Sequence, residues 1–493
     1  MLIDFSRESY IPYQMLNGSK LGQDIFLIYG SFGYFLNMLL YKISVNINFL
    51  LVEALLISYL TTILFYFILK KFTSNLESML FSLAFIIFSI FSNSNFSFSM
   101  PYSYSTIWGV FAVYAILFSY LYRYNKIIYF LLGFLAINKI ELFLLTLLFC
   151  IIFDVKNKKF NYKNYLLILI IPALSVFIYN PIENLDNLIK LCNMTKTNAI
   201  KTLYRGMGTY FEINYFIYNL KYFMLYMCIS IISYLIFKKN KSISFVIIAL
   251  LFIFKSPNIL MHLGFFAAVI LTVINIKKME QKDIILLIFC FILCSKGIFA
   301  LDYYSYSNFG WCLTIFFIYI QLSKLYDKKY IIAHFSLLFA SLLFLKIADY
   351  YNYPKYSINT NIGQIFLGKT DYQLTKQIID YLDKNLQENE KLIVVPEGQI
   401  FNLIYKKPWN YNNSTFTPLD FETFGEKKLT DNLKQNKTDY IIFYPRDTKE
   451  YGAKTICYDY GIDFCQYIAD NYNRKEMFGN TQKALIFKIN EKK

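Results

Sequence analysis

Residues 48–70, NFLLVEALLISYLTTILFYFILK, form an apolar run in which Glu53 is the one acidic residue before the run ends at Lys70. A helix needs about 20 apolar residues to cross the hydrocarbon core of a bilayer. This run has that length, and comparable runs recur near residues 77–93, 104–122, 163–179, 219–237, 283–300, 309–323 and 331–347. The pattern predicts a polytopic α-helical membrane protein.

Composition and charge favour the same class. Of the 493 residues, 56% are apolar and 17% are charged, whereas soluble domains average about 25% charged residues. The formal net charge of +16 could indicate nucleic-acid binding. However, Lys and Arg gather between the apolar runs, near residues 70–71, 123–126, 156–163, 238–241, 277–282 and 324–329. Such clusters are typical of cytoplasmic loops, so we predict membrane lipids, and no nucleic acid, as partners.

Two apolar stretches are too long to form one membrane-spanning helix and too short to form two. "NKIE" (138–141) interrupts residues 127–154, and "KSPN" (255–258) interrupts residues 243–276. Each is predicted to be a pair of short helices that enters from the cytoplasm and returns to it. Interrupted helices of this kind often mark functional sites, because polar backbone is tolerated at membrane depth only where it is buried in protein or wetted.

This topology divides the chain into three parts. Residues 1–47 are predicted to be an outer loop with short helices in the membrane interface, formed by "YIPYQML" and "GYFLNMLLYKI". Residues 48–347 are predicted to be the transmembrane domain. Residues 348–493 then lie outside the membrane, where "KLIVVPEG", "DYIIFYP" and "ALIFKIN" alternate with helical patterns. That alternation predicts a soluble α/β domain.

Several ionisable residues are candidates for a site. Asp4, Arg7, Glu8 and Asp24 crowd the N-terminal segment. Asp4 and Asp24 could hold a metal, act as a base, bind a cationic partner or be ordinary solvated acids. Lys139 and Glu141 interrupt an apolar run, where each charge costs roughly 2.5–3.5 kcal/mol to insert, so they are either functional or at the outer interface.

The eight cysteines do not form a metal-binding pattern. Cys290 and Cys294 share a helix face, but neither His nor an acidic residue joins them. We therefore predict neither a metal site nor a cofactor, and the sequence gives no support for a divalent metal. Cys457 and Cys465 are the only cysteines of the C-terminal domain. They are expected either to form a disulfide, which an oxidising compartment permits, or to remain free thiols.

The stretch "IDFSRESYIPYQMLNGSKLGQDIFLIYGSFGYFLNMLLYKI" resembles the first outer loop of the GT-C membrane glycosyltransferases. It is most similar to the branch of protein mannosyltransferases and related bacterial enzymes that carry an outer domain. The matching positions are Asp4, Arg7, Glu8, Gly18, Asp24, Ile25, Phe26, Tyr29 and Gly30. Ser31 stands where the family usually has Pro, and "MPYSYS", "GFLAINKIE" and "VPEGQIFNLIY" also resemble family stretches.

The resemblance implies an enzyme of the bacterial cytoplasmic membrane. Such an enzyme moves a sugar, with inversion, from a polyprenyl-phosphate donor to a glycan, lipid or protein acceptor on the non-cytoplasmic face. Asp4 is then the expected base and Asp24 a supporting acid. Arg7 and Lys139 are expected to bind the donor phosphate, with Glu8 and Glu141 as further substrate-binding residues.

The resemblance also carries a discrepancy and leaves two rivals. Family members have a membrane helix before this loop, whereas Met1–Ile3 precede Asp4 here. We expect upstream in-frame codons to encode that helix. The alternative functions are a transporter or flippase of a lipid-linked glycan and a non-catalytic structural relative.

Overall fold

A computed structural model describes residues 4–91, 98, 103–158, 160–176, 185–206, 213–254, 264–297, 308–352, 356–479 and 483–490. The first part of the chain is helical. Its α-helices are α1 (Asp4–Leu16), α2 (Ser31–Tyr41), α3 (Ile47–Lys70), α4 (Asn75–Phe85), α5 (Tyr104–Tyr122), α6 (Asn125–Asn138), α7 (Ile140–Lys156), α8 (Tyr162–Leu166), α9 (Ile170–Ser175), α10 (Leu185–Met194), α11 (Asn198–Gly206), α12 (Ile213–Phe237), α13 (Lys241–Phe254), α14 (Gly264–Asn275), α15 (Gln281–Cys294), α16 (Asn308–Ser323) and α17 (Lys328–Asn352).

Three helices in the described part of the chain are long and apolar enough to cross a membrane by length and composition. They are Ile47–Lys70, Tyr104–Tyr122 and the Lys328–Ala348 part of α17. The other predicted spans contain shorter apolar helical segments, such as the Phe223–Phe237 part of α12. Helix α4 continues as a π-helical turn over Ile86–Ile90. The predicted boundary at residue 347 falls inside α17, which ends at Asn352.

The pair of short helices predicted within residues 127–154 is confirmed, whereas its entry from the cytoplasm and return to it stay a prediction. Lys139 has an extended backbone conformation (φ −149°, ψ 90°) and separates α6 from α7. The Tyr129 hydroxyl, near the start of α6, donates a 2.6 Å hydrogen bond to Asp154, near the end of α7. Such a contact requires the two helices to run back along each other, so Lys139 lies at the apex of the hairpin.

Residues 243–276 and 163–179 are also irregular, and the structure bears differently on the predictions made for them. Helices α13 and α14 are found within residues 243–276, but the predicted break at residues 255–258 lies outside the described residues. The span predicted near residues 163–179 is found as an apolar helical segment, Tyr162–Ser175, in which a 3-10 turn, Leu167–Leu169, separates α8 from α9. Pro172 is the physical reason, since its ring clashes with the carbonyl of Ile168 in a continuous α-helix.

The N-terminal segment forms two helices, as predicted. However, α1 begins at Asp4, well before the stretch "YIPYQML" from which it was predicted, and most of its side chains are buried. It packs beneath the C-terminal domain: the Tyr10 hydroxyl donates a 2.6 Å hydrogen bond to the carbonyl of Lys407. The Gln14 amide donates to the carbonyl of Trp409 at 3.1 Å, and the Phe26 N–H donates to the carbonyl of Asn412 at 2.7 Å. These three hydrogen bonds hold the C-terminal domain against the N-terminal segment.

The C-terminal domain combines helices with a mixed sheet, as its alternating pattern predicted. Its elements are β1 (Tyr356–Thr360), β2 (Gly363–Leu367), α18 (Lys369–Asn385), β3 (Leu392–Val395), α19 (Ile400–Ile404), α20 (Pro418–Phe424), α21 (Glu426–Asn436), β4 (Tyr440–Phe443), α22 (Ile462–Asn471), β5 (Tyr472–Phe478) and β6 (Ala484–Ile489). The four-stranded sheet has the order β3-β4-β6-β5, in which β3 and β4 are parallel and the other pairs are antiparallel. The side chains of the parallel strands β3 and β4 are almost all buried. The loops that follow the carboxyl ends of these two strands carry residues of the candidate site.

The alternative left open for the last two cysteines is resolved as a disulfide. Cys457 and Cys465 are bonded, with their Cα atoms 5.4 Å apart. Gly461, with φ +68°, turns the chain between them, a conformation that glycine adopts readily.

Mass spectrometry of freshly purified, unreduced protein is therefore expected to find residues 457 and 465 linked. Alkylation with iodoacetamide should label Cys192, which is an exposed free cysteine, and should spare the linked pair. Alkylation of both Cys457 and Cys465 in fresh protein would contradict the bond.

Candidate functional site

The site begins at the first turn of α1. Asp4 and Arg7 lie three residues apart on one face of the helix, where side chains are neighbours, and the Arg7 Nη2 atom is 3.3 Å from Asp4 Oδ1. The Asp4 side chain is 35% exposed, whereas that of Arg7 is 10% exposed. Burial alone would lower the pKa of Arg7, but the neighbouring Tyr29 and Asp4 outweigh it and raise that pKa. Asp4 is thus a reachable carboxylate beside a permanently charged guanidinium.

Glu8 is enclosed directly behind this pair. Its carboxylate is completely buried and accepts hydrogen bonds from the Tyr34 hydroxyl at 2.7 Å and from the Tyr104 N–H at 3.0 Å. Its Oε1 atom also lies 3.6 Å from Arg7 Nε. Burial raises the pKa of Glu8, while Arg7 opposes the rise. This placement suits an anchor that joins α1, α2 and the N-terminus of α5 and that holds Arg7.

Gly30 brings the N-terminal segment against the hairpin apex. A Cβ atom at this position would lie 2.4 Å from the backbone of Asn138, so only glycine permits the approach. The Ser105 hydroxyl fixes the loop by donating to the Gly30 carbonyl at 2.5 Å. Tyr29 is consequently held between two cations: Arg7 Cζ is 4.8 Å and Lys139 Nζ is 5.2 Å from the centre of its ring.

The hairpin apex adds an ion-paired cluster. Lys139 Nζ lies 3.6 Å from Glu141 Oε1, and the Lys296 ammonium pairs with the same carboxylate atom. Lys139 is only 7% exposed, whereas Glu141 and Lys296 are 34% and 25% exposed. Lys296 Nζ is also 5.9 Å from the ring centre of Tyr204 in α11. A continuous series of contacts, which we call the Asp4–Lys296 array, therefore joins Asp4, Arg7, Tyr29, Lys139, Glu141 and Lys296.

The C-terminal domain faces this array with three charged residues from the loops after β3 and β4. Arg446 Nε is 3.1 Å from Glu397 Oε2, and the Arg446 guanidinium also pairs with Glu450. We call Glu397, Arg446 and Glu450 the carboxylate–arginine triad. Asp4 is among the charges that act on each of its members, so the triad and Asp4 belong to one electrostatic environment.

The structure brings together Asp4, Arg7, Glu8, Lys139 and Glu141, five of the six residues predicted from the sequence. Asp24 has a separate, local position. It is exposed, and its carboxylate accepts a 2.8 Å hydrogen bond from the Lys20 N–H within a turn. A supporting role for Asp24 remains a prediction.

Among the described residues, no group of three or more His, Cys, Asp or Glu side chains is arranged to hold a metal ion. Comparison of the chain with protein-family models and with curated proteins found no match. The resemblance to the GT-C glycosyltransferases therefore stays a prediction.

The sequence did not point to Lys296 or to the triad. Lys296 lies in "CSKG", near the end of the span predicted at residues 283–300, where it has the appearance of an ordinary interfacial lysine. Glu397 and Arg446 lie in "VPEGQ" and "YPRDTKEYG", each directly after a buried strand. Because the carboxyl ends of two adjacent parallel strands meet at one sheet edge, the strand assignment itself could have predicted that these two residues lie close together.

Proposed function

We propose that this protein is a membrane glycosyltransferase of GT-C type. It transfers a sugar, with inversion, from a polyprenyl-phosphate donor to an acceptor on the non-cytoplasmic face of the membrane. The observation that carries the proposal is the Asp4–Lys296 array. In it a reachable carboxylate pairs with Arg7, Arg7 and Lys139 lie on the ring of Tyr29, and a third cation, Lys296, joins Lys139 through Glu141.

The array divides the reaction between a base and a phosphate-binding group. Asp4 takes the proton of the acceptor hydroxyl while the hydroxyl oxygen attacks the anomeric carbon. The bond from that carbon to the donor phosphate breaks on the opposite face, which inverts the configuration. Arg7, Lys139 and Lys296 stabilise the charge that develops on the departing phosphate.

The surroundings of the array suit a donor with a long apolar chain. Two of the three helices long enough to cross a bilayer, α3 and α17, expose many apolar side chains, including Val52, Tyr59 and Phe344. A prenyl chain can lie along such surfaces while its sugar-phosphate group stays at the interface. In this arrangement the C-terminal domain is outside the membrane, which agrees with the disulfide it contains.

The test is an assay of the full chain in liposomes with a panel of radiolabelled decaprenyl-phosphate sugars and with extracted cell-envelope glycans, lipids and proteins as acceptors. Transfer of label to an acceptor supports the proposal. Movement of the labelled lipid between leaflets without transfer would identify a flippase. Neither transfer nor movement across the whole panel would favour a non-catalytic relative.

Lys139→Ala is expected to weaken donor binding and turnover together, because the ammonium faces the phosphate in both the ground state and the transition state. The loss should be on the order of 10-fold in each, since a charge-assisted hydrogen bond contributes about 1.5–3 kcal/mol. Initial rates against the concentration of the active panel donor measure both effects.

Lys282→Ala is the matched control, because Lys282 also pairs with a glutamate, Glu280 at 3.0 Å, but lies in a basic cluster away from the array. Equal kinetics for the two variants would remove Lys139 from the phosphate-binding group.

A further inference from the structure

The carboxylate–arginine triad lies outside the roles assigned so far. Glu397 is 5% exposed, and its Oε2 atom has no aligned hydrogen-bond donor among the described residues, although Arg446 Nε is 3.1 Å away. A buried carboxylate oxygen that lacks a hydrogen bond calls for an occupant, either a proton or an ordered water. Both occupants are relevant to a site in which a proton has to be removed.

Charged and titratable groups from α1 and from the segment after β4 act electrostatically on Glu397. Arg446 lies beyond β4, and the α1 helix presents Asp4 and Arg7. The remaining groups that face it are Glu450, Tyr451 and Tyr460. Burial raises the pKa of Glu397 to about 7; the two arginines oppose that rise, and the carboxylates of Asp4 and Glu450 add to it.

Exposure increases in one direction through the triad. The Glu397 side chain is 5% exposed, that of Arg446 is 20% exposed, and that of Glu450 is 43% exposed. Since Asp4 acts on both glutamates, the triad forms a graded series of charged groups from the neighbourhood of Asp4 to solvent.

We propose that Glu397 receives the proton that Asp4 takes from the acceptor, and that the triad releases this proton to solvent past Glu450. This inference rests on the proposed function. In the reaction, the acceptor O–H bond breaks, the new glycosidic bond forms, and the bond from the anomeric carbon to the phosphate breaks. The proton is then on Asp4, and it passes through a water to the ionised Glu397, which restores the Asp4 carboxylate for the next turnover.

Arg446 is the positioning residue of this route. With Glu397 ionised, the guanidinium bridges two carboxylates and offsets their repulsion for each other and for Asp4. Once Glu397 is protonated, its hold on Arg446 weakens and Glu450 becomes the remaining partner. The arginine thus keeps two acidic groups close together in a setting that would otherwise drive them apart.

The first experiment does not depend on turnover. Infrared titration of the full chain in liposomes between pH 5 and 9 follows the protonated carboxyl band, and the difference from Glu397→Gln assigns the part that belongs to Glu397. Its midpoint is expected near the pKa of about 7. Asp4→Asn should lower that midpoint by about one pH unit, because it removes a facing negative charge.

Glu390→Gln is the matched control. Glu390 is also an ion-paired carboxylate of the C-terminal domain, with Lys488 at 2.8 Å, but it precedes β3 whereas Glu397 follows it. This control should leave the midpoint of Glu397 unchanged. A midpoint that Asp4→Asn does not move, or a spectrum that Glu397→Gln does not alter, would overturn the inference even if the protein is an active transferase.

The second experiment uses the panel donor that gives turnover. Glu397→Gln should lower kcat by up to about 10²-fold, the lower end of what proton-transfer groups contribute, and leave the donor KM unchanged. In the wild type, kcat should decline below about pH 7, because Glu397 becomes protonated there and can no longer accept a proton. Glu397→Gln should abolish this pH dependence.

Glu397→Asp retains a carboxyl group and should restore part of the rate, which separates proton transfer from a folding defect. A full rate and an unchanged pH profile in Glu397→Gln would reject the inference while leaving the proposed transferase intact. If no donor in the panel reacts, the proposed function fails, and the infrared titration still decides whether Glu397 and Asp4 are coupled.

Discussion

Asp4→Asn is expected to abolish sugar transfer and to leave donor binding largely intact. The carboxamide is nearly isosteric with the carboxylate, so α1 should form and pack as before. The variant loses the group that accepts the acceptor proton, and removing a general base typically costs on the order of 10²–10⁴-fold in rate. The cations that face the donor phosphate remain in place, which is why binding should survive.

Initial rates against donor concentration, with size-exclusion profiles to confirm folding, measure this effect. Asp24→Asn is the comparison variant, because it makes the same chemical change in the same segment at an exposed carboxylate that serves a local turn. It should cost far less. Turnover of Asp4→Asn close to that of the wild type would exclude Asp4 as the base.

Glu8→Ala should destabilise the protein by about 3–5 kcal/mol, the cost of breaking a buried ion pair by removal of one partner. The substitution leaves the Tyr34 hydroxyl and the Tyr104 N–H without their shared acceptor in a fully buried position. It also leaves the Arg7 guanidinium without one of its two carboxylates. Thermal denaturation in detergent, followed by loss of the monomeric size-exclusion peak, gives the change.

Asp186→Ala is the control, because it removes the carboxylate of an exposed ion pair instead of a buried one. Asp186 is 78% exposed and pairs with Lys190 one helical turn away, and such exposed pairs contribute about 0.2–1 kcal/mol. Similar denaturation temperatures for the two variants would show that Glu8 is not the anchor its burial implies. Glu8→Gln, which keeps an acceptor oxygen, should fall between them.

Local periodicity and turn chemistry predicted the elements of this fold well. The break at Lys139 followed from "NKIE", which places a cation and an acid within an apolar run that one helix could not accommodate. The three main strands of the C-terminal domain followed from short apolar runs between helical patterns. Strand β5 was missed because "YNRKEMF" has mostly exposed, charged side chains, and its strand form depends on pairing with β6.

The site was only partly accessible from sequence, since its members meet through tertiary packing. Asp4, Arg7 and Glu8 are neighbours on one helix, so local spacing sufficed to group them. Lys296 joins them only because the helix that precedes it, α15, packs beside the hairpin. Asp24 shares a segment with Asp4, but sequence proximity did not show that its carboxylate is used in a turn.

The hydrogen bond from Tyr10 to Lys407 spans 397 positions of the chain. During synthesis, helix α1 is made long before the domain that covers it. Tyr10, Asp4, Arg7 and Glu8 of this helix must therefore stay partly uncovered while all the intervening helices are made. The proposed transferase can acquire its full set of charged groups only after the C-terminal domain has been made, so a chain terminated before that domain would lack Glu397, Arg446 and Glu450 and should be inactive.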